Sequence, residues 1–321
     1  MTDNHYYYQE FISAIRKKIP HKSTLVNTIT DLLDIDKDAV YRRLRGTVQF
    51  SFIEMAIIAK KLGVSLDSIA EIETLQTKTA QMDFTRHINP SEVDYKMFTD
   101  FLNMLKFIKD EPETTLLESG NLLPYYLFYD YEYLTRYNIF RWCQASSYGD
   151  KRPFHEITIP ERLRELQKRY CMYSRHIKST QYVWDAMIFQ QLVNNIKFFA
   201  KVRFIKEEDV CLIKNDLLKF LNDVENLAIK GKHEETRNEV SIFISELNFD
   251  TNYSCLKNND LQLTIFKTFI LNSIASLNEE VFKETSFWIR SLQRTSTLIS
   301  AGNEKNRALF FEKQREIIYS L

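Results

Sequence analysis

The chain offers one dense group of charged and aromatic side chains for recognition chemistry, in and just before the segment DAVYRRLRG. The candidates are Lys37, Asp38, Tyr41, Arg42 and Arg45. A guanidinium group can donate two parallel hydrogen bonds to the O6 and N7 acceptors of guanine, and a tyrosine ring can pack on a thymine methyl group or bind a phosphate. Because Val40 and Leu44 are four residues apart, we expect them to face inward and the five candidates to face outward on one short helix.

Five amphipathic helices are predicted in residues 1–75, and together they would position this group. Apolar residues recur at helical spacing in each segment, and residues typical of helix ends separate the segments. The predicted ends are Pro20 for the first helix, Ser23 or Thr24 as N-cap of the second, Asp36 and Gly46 around the third, Ser51 and Gly63 around the fourth, and Ser65 as N-cap of the fifth.

The order of these segments resembles the XRE-type, or lambda-repressor-like, helix-turn-helix over about residues 8–75. The resemblance rests on the second helix, the turn DID at 34–36, the third helix with Gly46, and the segment AIIAKKLGVSLDSI. Asp34 occupies the turn position usually held by glycine. The resemblance implies that the third helix reads base edges in the DNA major groove, as helix-turn-helix proteins do.

Further residues are predicted to contact the DNA backbone. The free N–H groups at the start of the second helix, with Ser23 and Thr24, suit a phosphate, and Lys22 and Gln49 are weaker candidates. Two residues keep an alternative: Asp38 could instead interact with the helix dipole, and Arg43 could pair with an acid inside the domain.

The charge distribution agrees with this interpretation, although the chain is formally neutral. Between Arg16 and Lys61 ten basic residues face five acidic ones. A local excess of cations is what a polyanion requires, whatever the charge of the whole chain. The alternative is an ordinary solvated basic face, or a helix-turn-helix used for protein contacts.

The remaining chain is divided into a linker at 76–90 and a mainly helical dimerisation and sensing domain at 91–321. Helical periods dominate this region, whereas Val240, Ile242 and Ile244 alternate with polar residues as in a strand. With NFDTN as a turn to YSCL, the pattern predicts a small β-hairpin. The expected fold class is therefore mainly α: a five-helix N-terminal domain plus a larger helical domain with a small β-hairpin.

Aromatic residues are concentrated in the run from Tyr125 to Tyr137. Two interpretations remain open for this run, core packing and a ligand pocket lined by tyrosines. Trp184 and Trp288 are both expected to anchor the core.

Catalytic and metal-binding patterns are missing from the sequence. The six histidines form no H-x₃-H or H-E-x-x-H pattern, the four cysteines are far apart, and no glycine-rich phosphate loop occurs. We therefore expect no enzyme activity, no metal and no cofactor. No signal peptide or apolar span is visible, which predicts a cytoplasmic protein that does not enter a membrane.

These observations predict a sequence-specific, DNA-binding transcriptional regulator. We expect it to bind double-stranded DNA as a homodimer and to respond through its second domain to a small-molecule or peptide effector. The alternative is a non-catalytic module that uses its helix-turn-helix for protein contacts.

Overall fold

A computed structural model describes residues 3–69, 83–85, 92–109, 111–146, 151–249, 251–259, 261–267 and 273–321. The chain divides into two compact units, Met1–Gln81 and Met82–Leu321. Each unit has its own hydrophobic core. Of the predicted linker at 76–90, only Asp83–Thr85 is described, and these residues form a strand in the sheet of the second unit. The rest of that linker lies outside the described residues.

Helices make up the first unit within the described residues. Their bounds are α1 (Asp3–Lys18), α2 (Lys22–Leu33), α3 (Lys37–Arg45), α4 (Phe52–Leu62) and α5 (Leu66–Ile69). Their apolar stripes meet in one core, to which α1 contributes Phe11, Ile12 and Ile15, and α3 contributes Val40 and Leu44. Burying a stripe at helical spacing is what holds such short helices in place, because helices of this length are marginal alone in water.

Local capping explains where the helices of the first unit end. The Asp36 carboxylate accepts a hydrogen bond from the Ala39 N–H at 2.6 Å and caps α3. Gly46 ends α3 in the left-handed region, with φ of 81°, where a side chain would be strained. Ser51 and Glu54 form a reciprocal capping box at the start of α4. The predicted cap of α2 is wrong, because His21 is the N-cap and Ser23 and Thr24 lie inside the first turn.

The second unit combines helices with a mixed β-sheet. Its helices are α6 (Glu92–Ile108), α7 (Glu132–Ser146), α8 (Glu161–Ser174), α9 (Gln190–Lys201), α10 (Glu207–Lys230), α11 (Glu279–Thr295) and α12 (Glu304–Tyr319). Its strands are β1 (Asp83–Thr85), β2 (Thr115–Gly120), β3 (Ser179–Asp185), β4 (Glu239–Ser245), β5 (Asn252–Lys257), β6 (Gln262–Lys267), β7 (Ser273–Ser276) and β8 (Thr297–Leu298). Among the described residues these strands form one sheet in the order β1-β7-β6-β5-β2-β3-β4-β8.

The predicted fold class is wrong, because this eight-stranded sheet replaces the expected small hairpin in a helical domain. β4 and β5 occur close to the predicted strands but do not pair with each other. β4 lies parallel to β3, whereas β5 lies antiparallel to β2. The segment FKTFILNSIASL, in the region where helical periods were expected to dominate, provides the end of β6 and all of β7.

The reason for this error lies in the burial of the central strands. Five of the six residues of β2 are buried, on both faces of the sheet, so the strand lacks the alternation of apolar and polar residues that marks a half-exposed strand. β3 is similar, with Tyr182 and Trp184 facing the larger core and Val183 facing the smaller one. Sequence periodicity is uninformative for such strands.

Two cores lie on opposite faces of the sheet. The larger core joins Leu116, Tyr182 and Ile242 of the strands with residues of α7, α10 and other helices. The smaller core joins Leu117 and Val183 with residues of α11. Trp184 is buried as expected, but the prediction for Trp288 is wrong, since 54% of this residue is exposed on α11. No helix among the described residues is long and apolar enough to cross a membrane.

Candidate nucleic-acid interface

The outward face of α3 carries the predicted recognition residues. Val40 and Leu44 are buried, as their spacing predicts, and the opposite side of the helix is open to solvent. One open surface depression is lined by Asp36, Lys37, Asp38, Tyr41, Arg42 and Arg45. All five sequence-predicted residues of α3 therefore share one surface.

Tyr41 is held between two cations. The Lys22 Nζ atom lies 5.5 Å from the centre of the Tyr41 ring, and the Arg45 Cζ atom lies 6.0 Å from it. A cation near the face of an aromatic ring is attracted to it electrostatically. Lys22, from the first turn of α2 and one of the weaker backbone candidates from the sequence, therefore lies beside the α3 face.

The other predicted contact residues are exposed but lie outside this depression. Ser23 and Thr24 occupy the first turn of α2, and Gln49 lies between α3 and α4. No side chain caps the start of α2. The first N–H groups of a helix have no partner within the helix, so this end can donate hydrogen bonds to an anion.

The turn between α2 and α3 has a strained residue. Asp34 adopts φ of 52° and ψ of 47°, the left-handed conformation that favours glycine and is tolerated by aspartate. Asp36, two residues later, caps α3. The turn thus fixes the direction in which α3 leaves α2.

Arg43 has a different role from its neighbours in the sequence. One of its Nη atoms lies 3.0 Å from Oε1 of Glu54, and both side chains are about one-fifth exposed, at 19% and 20%. Burial raises the pKa of Glu54, but hydrogen bonds from the Ser51 backbone and the Arg43 guanidinium outweigh burial and lower that pKa below its ordinary value. Arg43 therefore pairs with an acid inside the unit, one of the two roles left open by the sequence.

α1 fixes the far end of α3. The Tyr8 hydroxyl donates a hydrogen bond to the Arg43 carbonyl at 2.8 Å and accepts one from the Phe50 N–H at 3.2 Å. An Arg16 Nη atom donates to the Leu44 carbonyl at 3.0 Å. These bonds satisfy carbonyls in the last turn of α3, so the exposed face stands on a helix held at both ends.

The aromatic run of the second unit borders two clefts. The aromatic run at 125–137 mostly packs in the core: Tyr126, Phe128 and Tyr137 are buried. One of these clefts has an interior of about 20 Å³, enough for about one water molecule, whereas the other is an open cleft of about 500 Å³ lined by Tyr126 and Tyr131 together with Arg175 and His233. Within the described residues, no group of three or more histidine, cysteine or acidic residues could hold a metal ion.

A buried polar network lies beneath the same run. Glu118 of β2 accepts hydrogen bonds from the Tyr126 hydroxyl at 3.0 Å and from Lys267 Nζ at 3.1 Å. The hydroxyl groups of Tyr126 and Tyr182 are also 3.0 Å apart. Burial, then the Glu118 carboxylate, raises the pKa of Tyr126 well above its ordinary value, so this hydroxyl stays protonated and donates.

Comparisons with known proteins yielded no relatives: no family model, curated protein or solved structure matches this chain.

Proposed function

We propose that the protein is a sequence-specific, DNA-binding transcriptional regulator that acts in the cytoplasm. The observation that carries the proposal is the outward face of α3, where Lys37, Arg42 and Arg45 stand around Tyr41 on a helix capped at both ends. These groups suit the acceptor-rich edges of bases and the phosphates beside them.

The side chains of this face have distinct roles in the proposal. Arg42 and Arg45 donate to guanine O6 and N7, Tyr41 packs against a thymine methyl group or donates to a phosphate, and Lys37 binds a phosphate. Asp38 accepts from a cytosine amino group. Ser23, Thr24 and the open start of α2 bind the backbone, and Gln49 adds a contact there.

Two copies of the chain are part of the proposal. One short helix reads only a few base pairs, and two half-sites supply the affinity and length of a specific site. Its second unit then provides the dimer contact and responds to a small-molecule or peptide effector. Such an effector would act by favouring one spacing of the two α3 helices.

The test is selection from random duplex DNA with the full chain, at two salt concentrations. We expect an enriched motif with two-fold symmetry and binding that weakens steeply with salt. Arg42→Ala should weaken binding to the selected site by about 1–3 kcal/mol. The matched control is Lys60→Ala, an exposed cation of α4 outside the depression. Failure to enrich any motif, or equal affinity of the Arg42 and Lys60 variants, would overturn the proposal.

A protein-binding role for the same unit is the second candidate. Phe52, Ile53 and Ile57 are exposed on α4, and an apolar group of this kind suits a protein partner. The salt dependence of the affinity distinguishes the two functions, because phosphate binding releases counterions whereas apolar docking does not. The same selection at two salt concentrations therefore distinguishes them.

A further inference from the structure

α11 presents two large aromatic side chains to solvent. Its inner face packs on the sheet through Phe282, Ile289 and Leu292. On the opposite side, Phe287 is 63% exposed, and Trp288, at the flank of the helix, is 54% exposed. Adjacent aromatic residues at the middle of an exposed helix face are typical of a contact surface.

Charges on this outward face are sorted along the helix. The half before Phe287 carries three exposed carboxylates and one ammonium group, on Glu279, Glu280, Glu284 and Lys283. The half after it carries two exposed guanidinium groups, on Arg290 and Arg294. This order also favours the helix's own dipole, but the dipole gives no reason for aromatic residues at the midpoint.

Acidic and basic residues of α11 lie at equal distances in sequence before and after Phe287. Glu284 and Arg290 lie three residues before and after it, and Glu280 and Arg294 lie seven residues before and after it. A face with this arrangement is complementary to itself when it is reversed. In an interface with two-fold symmetry the same patch is used by both copies, which is the condition that this face meets.

We propose that the outward face of α11 pairs with the same face of a second copy of this chain, antiparallel, about a two-fold axis at Phe287. The acidic half of each α11 then lies along the basic half of the other, and Phe287 packs against its own copy. A parallel pair would place like charges together. The inference does not rest on DNA binding, although it supplies a dimer contact for that function.

Complementary charge reversal in the full chain tests this pairing. Glu280→Lys with Glu284→Lys makes both halves basic, and Arg290→Glu with Arg294→Glu makes both halves acidic. Each variant alone opposes like charges, so we expect its dimer dissociation constant to rise at least about tenfold. An equimolar mixture restores both contacts and should form a heterodimer close to wild type in affinity. Sedimentation equilibrium measures all three, and circular dichroism confirms that each variant folds.

Two matched variants test the contribution of the Phe287 side chain to the affinity of the dimer. Phe287→Ser should weaken the dimer at least about tenfold, whereas Phe198→Ser, at a phenylalanine of α9 that is 57% exposed, should leave it unchanged. A monomeric wild type, a mixture that stays monomeric, or equal effects of the two serine variants would overturn the proposal. These measurements contain no DNA, so a failure of the pairing can be told apart from a failure of DNA binding.

Discussion

Each unit pairs a carboxylate with a cation, and the two pairs lie in different surroundings. Arg43 and Glu54 meet at the edge of the first unit, with about one-fifth of each side chain exposed. Glu118 and Lys267 meet in the sheet of the second unit, where the glutamate side chain is 5% exposed and the lysine 17%. Their N···O distances are nearly the same, 3.0 Å and 3.1 Å.

Similar geometry therefore carries different energetic consequences. At the surface, solvent screens the attraction, and the pair mainly keeps Arg43 oriented inward. In the sheet, solvent reaches the lysine but hardly the carboxylate, so the attraction is screened less and the loss of either partner costs more. The comparison also separates the arginines of α3: Arg43 belongs to the fold, whereas the exposed Arg42 and Arg45 are available for a ligand.

The largest effect is expected from Glu118→Gln. It leaves the Lys267 ammonium without its counter-charge, and breaking a buried pair in this way costs about 3–5 kcal/mol. Urea unfolding followed by tryptophan emission measures the second unit alone, because Trp142, Trp184 and Trp288 all lie in it. The double variant Glu118→Leu with Lys267→Met should recover at least half of the loss. A single variant as stable as wild type would show that the buried pair does not stabilise the second unit.

As the pH falls, the second unit should lose stability at a higher pH than the first unit. Burial, then the charge of Arg175, lowers the pKa of His233 from its ordinary value of 6.5 to about 4. Between these values the unfolded chain binds a proton that the folded chain does not, so stability falls as the pH drops from 6.5 towards 4. At pH 5 the loss is about 2 kcal/mol.

Glu54 gives the first unit the contrasting response. Since its pKa is lowered, the stability that it contributes is lost only as the pH falls below its ordinary value of 4.5. Tryptophan emission and circular dichroism, recorded together between pH 7.5 and 4, distinguish the two units. His233→Gln should flatten the tryptophan curve, and an unchanged curve would assign the acid response to other groups.

Glu54→Ala should destabilise the first unit by about 1–2 kcal/mol, because it removes the ion pair and half of the capping box. Glu54→Gln, which can still accept the Ser51 N–H, should cost less. Arg42→Ala should change stability by no more than about 0.5 kcal/mol. Circular dichroism melts measure the three variants, and a comparable loss in Arg42→Ala would mean that Arg42 also belongs to the fold.

The smallest effect concerns the turn that leads into α3. Asp34→Gly should raise the stability of the first unit by about 0.5 kcal/mol, since glycine adopts the left-handed conformation without strain but loses more entropy on folding. Asp34→Ala should instead lower stability, by about 1 kcal/mol. The same melts measure both, and a decrease with glycine would show that the Asp34 side chain stabilises the turn.

The sequence correctly predicted those features that depend on residues close together in the chain. Helical spacing and residues such as Asp36 and Gly46 were enough to place α3 and its outward side chains, because caps and amphipathic stripes act within a few residues. Arg43 could not be separated from Arg42 by spacing alone, since its partner Glu54 lies on another helix.

Long-range pairing accounts for the failures. β2 shows no alternation because it is buried on both faces, and β4 and β5 are neighbours in sequence but not in the sheet. Trp288 was assigned to the core by residue type, although its helical position lies at the side of the buried stripe of Phe282, Ile289 and Leu292. Residue type and period describe single elements, and the sheet order depends on how distant elements meet.

That strand order has a consequence for the growing chain on the ribosome. β2, β3 and β4 emerge in sequence and can form their parallel ladders as soon as β4 is made. The other edge of β2 must then wait for β5, which is synthesised later. During that interval the nascent chain presents one edge of β2 with unpaired N–H and C=O groups, a template on which a neighbouring nascent chain can add its own strand.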